Sequence, residues 1–145
     1  MRKNAFTLVE LLIVIAIIGV FTAVLFGSIA SSRANSRDHK RIIDMKQIQI
    51  GLALYFDINR EYPRPSPASE ASDVGSLAPL VTQRFLPLIP ADPTVGATYE
   101  YFTSGLGRKY CVGVKLENVA GAPSENACSL TKPVGSVANY WGQNN

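Results

Sequence analysis

The feature that most limits how this chain can fold is an apolar run from Leu11 to Ala30, interrupted only by glycines, Thr22 and Ser28. At about 20 residues it would span roughly 30 Å as a helix, the thickness of a bilayer's hydrocarbon core. Arg2 and Lys3 precede it, and Glu10 is the one acid at its edge. A carboxylate in that place is costly to bury in lipid, so a functional partner for it is expected. The basic start also sets a topology, because positive residues stay cytoplasmic and the stem then inserts with its C-terminal part outside.

The stretch Ala5-Phe6-Thr7-Leu8-Val9-Glu10-Leu11-Leu12 resembles the N-terminus of type IV pilins and type II secretion pseudopilins. In that family a prepilin peptidase removes a short basic leader before a phenylalanine, the new amine is methylated, and a glutamate stands five residues into the mature chain. Mapped here, the cut falls between Ala5 and Phe6, and Glu10 is that glutamate. The residue before the cut is usually glycine; here it is Ala5, the next-smallest side chain. The resemblance implies an α+β pilin fold, with a long N-terminal helix packed on a small antiparallel sheet of two to four strands. It also implies a structural subunit without catalytic activity. Its partners would be further copies in a helical homopolymer, the peptidase, an inner-membrane assembly platform with its ATPase, minor pilins, and membrane lipid before assembly. Glu10, without an obvious protein partner in the unassembled precursor, would set register by meeting the terminal ammonium of a neighbouring stem.

Two other readings of the same N-terminus compete. A basic start, an apolar run and then Ser28-Ile29-Ala30 also fits a secretory signal, giving a soluble binding domain that begins at Ser31. Against it, the run exceeds the 7–15 residues usual for such a signal, and an acid at Glu10 is out of place there. A membrane-anchored minor pilin or adhesin would share the N-terminus outright. Net charge gives no help towards nucleic acid. It is +3 overall, and loss of Arg2 and Lys3 with a leader leaves twelve cations against eleven acids.

Beyond the stem the residues divide into 31–61, an amphipathic helical half, and 62–145, a small β domain with loops; residues 1–5 are the leader and 6–30 the membrane and filament-core part. No proline falls between Ser31 and Arg60. Ile42, Met45, Ile48, Leu52 and Tyr55 form one helical stripe, and Ile43, Ile50, Leu54 and Ile58 a second. Two stripes imply burial on two sides, a sheet against one and neighbouring subunits against part of the other. Ser36, Asp38 and His39 lie within one turn but lack a nucleophile turn, so a solvated helix face is expected rather than catalysis. The helix is expected to stop at Tyr62-Pro63, since the residue before proline is pushed out of the helical region.

Residues 64–75 read as an exposed loop, and Pro90-Ala91-Asp92-Pro93 as a turn. Tyr99–Phe102 and Lys109–Leu116 read as a hairpin, the second strand half-buried, with Tyr140-Trp141 as a last short strand or a tucked aromatic. Cys111 and Cys128 suggest a disulfide in an oxidising exterior, two buried thiols being the alternative. With one histidine, His39, the familiar zinc sets cannot be completed. Major pseudopilins bind calcium near the C-terminus. Glu117, Asn118, Glu125, Asn126 and Ser129 offer oxygens, but their spacing resembles no defined calcium loop, so no metal or other cofactor is expected.

Overall fold

A computed structural model describes residues 6–64, 72–104, 106–119, 128, 130 and 137–143, with backbone alone at 24–28 and 72–73. Helix α1 runs Leu8–Asn59, then come β1 (Ser72–Asp73), a 3-10 turn (Val74–Leu77) and α2 (Ala78–Thr82). Strands β2 (Glu100–Thr103), β3 (Tyr110–Val114) and β4 (Tyr140–Gln143) complete the order. The chain divides into two compact units, Met1–Asn35 and Ser36–Asn145.

The first unit is the N-terminal part of α1. Every large apolar side chain described from Leu8 to Phe21 is exposed. Thr22 donates its hydroxyl back to the Ile18 carbonyl at 2.7 Å, which lets a polar residue sit in this run with its hydrogen bond made locally. Among the described residues no helix is long and apolar enough to cross a membrane; the side chains described in the apolar run stop at Ala23 and resume at Ile29.

The second unit is an α+β head. Its sheet has the order β1-β2-β3-β4, antiparallel throughout, with Tyr101 opposite Val112 and Gly113 opposite Trp141. Alternation along the strands makes two faces. Tyr101, Tyr110, Val112, Val114 and Tyr140 turn towards Met45, Ile48 and Leu52 of α1, all three fully buried. Phe102, Cys111 and Trp141 form a second cluster on the other face, with Cys128, Leu130 and Ala138 against it. Strand β3 is therefore buried on both faces rather than one, a correction to the half-buried expectation, because the disulfide and the only tryptophan cover the face that alternation leaves to solvent. Gly142 lets β4 close on the helix: a Cβ there would stand 2.3 Å from Gln49 Nε2.

The helix ends at Asn59, three residues before the expected stop. Arg60 takes the left-handed conformation (φ 59°) usual for the residue after a helix, though not a glycine. The Tyr62 N–H donates to the Gly107 carbonyl at 2.8 Å, and its ring stacks on Phe56 at 4.6 Å and meets Tyr110 edge-on at 4.7 Å. Pro63 limits only its predecessor, whereas this aromatic packing fixes where the chain turns. The first stripe is core. Of the second, Ile43, Ile50, Leu54 and Ile58 are all at least half exposed. Strand β1 occupies the end of the stretch expected to be loop, and residues 65–71 of that stretch lie outside the described residues. Leu77, Leu80 and Leu86 are buried in the core of the head.

Candidate functional site

The tip of the stem is built by its own sequence. Thr7 is the N-cap of α1: its Oγ1 accepts the Glu10 N–H at 3.3 Å. In return Glu10 Oε2 accepts the Thr7 N–H and the Thr7 hydroxyl, each at 3.0 Å. This is a capping box, in which two orphan donors of the first turn are satisfied reciprocally. Glu10 therefore has a partner in its own chain, which corrects the expectation that the unassembled subunit offers it none. The Thr-x-x-Glu spacing was present in the sequence as a cue. Among the described residues both of the bonds from Thr7 fall on Oε2, and none is made to Oε1. Phe6 is 83% exposed beside it; Ala5 and the rest of the 1–5 leader lie outside the described residues.

The head carries a second polar constellation. Asp38, expected on a solvated helix face, is buried, and its carboxylate accepts from Arg41 at 2.8 Å and from the Glu117 and Asn118 N–H groups. Its oxygens serve structure rather than His39, which is exposed. Asp92, in the turn read from Pro-x-Asp-Pro, accepts the Thr94 N–H at 2.7 Å as an Asx turn does, and also accepts from Nε and Nη2 of the Arg41 guanidinium. The long-range half of that role carries no local signal. Burial alone would raise the Asp92 carboxyl, but hydrogen bonds from Arg41 and the Thr94 N–H outweigh it and hold it below the usual range. Hydrogen bonds first from Arg37 and then from Arg41 hold Glu117 down to about 2. Asp44 accepts from Lys40 at 2.6 Å and from the buried Tyr99 hydroxyl at 2.7 Å.

These bonds bear on calcium. Glu117, the one acid among the candidate oxygens that is described, has both oxygens occupied by guanidinium N–H groups, Arg37 Nε at 2.7 Å and Arg41 Nη1 at 2.8 Å among them. Among the described residues no group of three acids, histidines or cysteines has the form of a metal site. Of the other candidate oxygens, Glu125, Asn126 and Ser129 lie outside the described residues. Cys111 and Cys128 are joined in a disulfide, with 5.8 Å between their Cα atoms.

The prokaryotic N-terminal methylation motif matches residues 1–26. Over 97 residues the chain is 26% identical to the type II secretion system core protein G of Escherichia coli strain K12, covering 63% of this chain and 67% of that one. The motif and the similarity support the type IV pilin and pseudopilin family. No solved structure matches the chain. The pilin and pseudopilin family is structural and non-enzymatic, its members being subunits of filaments. In this pilin-like chain the long helix with an antiparallel sheet packed on its second half has the α+β form that the family implies.

Proposed function

We propose that the chain is a filament subunit made as a single-pass precursor, cut between Ala5 and Phe6, methylated at Phe6, and polymerised through its N-terminal helix. The observation that carries this reading is the tip of α1. An exposed apolar helix begins at a carboxylate whose Oε2 is tied down by Thr7 while Oε1 meets no donor among the described residues. Cleavage before Phe6 creates an ammonium of matching charge on every copy. A staggered neighbour brings that ammonium to Oε1 while the apolar flanks of the two stems close around the pair. Removing one partner from a buried ion pair costs about 3–5 kcal/mol, because a charge is left behind. That penalty makes a wrong stagger unfavourable, and Glu10 sets the register. The exposed stripe Ile43, Ile50, Leu54 and Ile58 gives the head half of the helix a further surface that neighbours would cover.

The reading places the precursor in the cytoplasmic membrane with its N-terminus inside, and the product in an extracytoplasmic or surface filament. The prepilin peptidase, an assembly platform with its ATPase, and minor pilins are the partners it requires. Two measurements test it. Intact mass of the processed chain should give Phe6 as the first residue with one added methyl; a start at Ser31 overturns the reading. Glu10→Ala should leave insertion and cleavage intact and reduce sheared filament by about a hundredfold or more, the factor that about 3–5 kcal/mol gives at about 1.4 kcal/mol per tenfold. Wild-type filament yield from Glu10→Ala would remove the register argument.

A further inference from the structure

Arg41 lies on α1 in the head, with only 4% of its side chain exposed. A guanidinium has five N–H donors, and here each has an acceptor. Nε and Nη2 hold the two oxygens of Asp92 at 2.8 and 3.0 Å, in the fork geometry that suits a carboxylate. The remaining Nη2 donor goes to Thr94 Oγ1 at 2.8 Å. Nη1 divides between Asp38 Oδ1 and Glu117 Oε1, both at 2.8 Å. Asp38 in turn accepts the N–H groups of Glu117 and Asn118. One side chain thus joins the helix, the turn at 92–94, and the segment that leaves β3 towards Cys128.

Three segments gathered by oxygens around one positive centre is the task a bound calcium ion performs, with six to eight oxygens in its shell. Here N–H donors fill that place. We propose that Arg41 is the resident structural cation of the head, so that the carboxylates of Asp38, Asp92 and Glu117 are organised by the chain itself and the head folds without a divalent metal. The guanidinium suits this because it stays charged at any working pH and reads several carboxylates at fixed angles, which a lysine ammonium does not. Its hydrogen bonds, first to Asp92, raise its own affinity for the proton further. The three carboxylates face two guanidiniums, those of Arg37 and Arg41, so the node keeps a residual negative charge, and a metal titration is therefore a severe test. The inference concerns the head alone and stands or falls independently of the assembly role of Glu10.

The test is thermal unfolding of the full-length chain in detergent micelles, followed by near-ultraviolet circular dichroism, with excess chelator or excess calcium. The two midpoints should coincide; a rise with calcium, or a fall with chelator, overturns the proposal. Arg41→Gln should lower the midpoint by about 12–20 °C, as loss of one partner from a buried ionic cluster does in a domain of this size. A wild-type midpoint for Arg41→Gln also overturns it. Should Arg41→Gln not fold, Arg41→Lys, with three donors in place of five, should still fold with an intermediate fall, and an unchanged midpoint there counts against the idea. Adding Asp92→Asn to Arg41→Gln should recover part of the loss by removing a stranded charge, whereas a purely steric role for Arg41 predicts no recovery.

Discussion

Replacing Gly113 by alanine should destabilise the head by about 1–2 kcal/mol, and the cause can be worked from three distances. A Cβ at this position would lie 2.4 Å from Trp141 Cζ3 and 2.6 Å from each of Cε3 and Cη2. The indole faces Gly113 across the β3–β4 pair, is fully buried, and stands edge-on to Phe102 at 5.3 Å within the cluster that holds the disulfide. It must move by about an ångström to reach ordinary contact, and the ring has no solvent side to move into. Overpacking of this kind costs about 1–3 kcal/mol. The loss of glycine's unfolded-state freedom returns about 0.4–1 kcal/mol. At about 4 °C per kcal/mol for a domain near 110 residues, the melting midpoint should fall by roughly 4–8 °C. Trp141 is the single tryptophan in the chain, so its fluorescence reports the same event directly. Gly51→Ala is the comparison on the helix. There the Cβ would lie 2.7 Å from Leu86 Cγ and 3.0 and 3.2 Å from its two methyls, so about 1 kcal/mol of helix propensity offsets part of a clash with a buried leucine that can still rotate, and the loss should be smaller than at Gly113. An unaltered midpoint and emission for Gly113→Ala would refute the claim that the indole lies on the glycine.

Breaking the Cys111–Cys128 bond, which closes a sequence separation of 17, should cost about 3 kcal/mol in the chain-entropy model and lower the midpoint by about 12 °C; superposable melts of the wild type and the Cys111→Ala/Cys128→Ala double variant would count against this. Acid should unfold the head in a defined window. The carboxyls of Asp92 and Glu117 are lower in the folded state than in the unfolded chain, so their contribution is complete above about pH 4.5 and drains as pH falls towards about 2. Urea midpoints measured across that range should decline in the wild type, and more shallowly in Arg41→Gln. Alkali acts with the opposite sign. Burial first, with the Asp44 bond next for Tyr99, raises the phenols of Tyr99, Tyr101 and Tyr110, so stability holds below about pH 10 and is lost above it. Phenolate absorbance should therefore appear for these three together with unfolding; their titration in a folded head at about pH 10 would contradict it.

Much of the fold was legible because its signals are local. The apolar run, the lone Glu10, the two helical stripes, the alternation around Val112 and the paired cysteines each depend on a few neighbouring residues, and each sits in the element that its pattern indicated. The capping box at Thr7 and Glu10 is equally local, since Thr-x-x-Glu before an apolar run is a helix-start signal in its own right. The burial of Asp38 has no such local signal. Helical spacing puts it beside Ser36 and His39 on a polar face, and nothing within a turn of it announces Glu117, whose N–H it accepts across 79 residues of chain. Arg41 and Asp92, 51 residues apart, are hidden in the same way.

By itself the sequence determined a stem that must be shielded from water, the place of its one negative charge, and a head with a helix on one side and a small sheet on the other. Hydrophobic period and local hydrogen bonding act within a few residues, so a linear reading recovers them. The tertiary structure decided which charges are buried, which glycine lies under a ring, and where the helix ends. Those outcomes depend on segments far apart in the chain meeting in a space that water has left, where an unpaired polar group is costly and a well-placed partner is decisive.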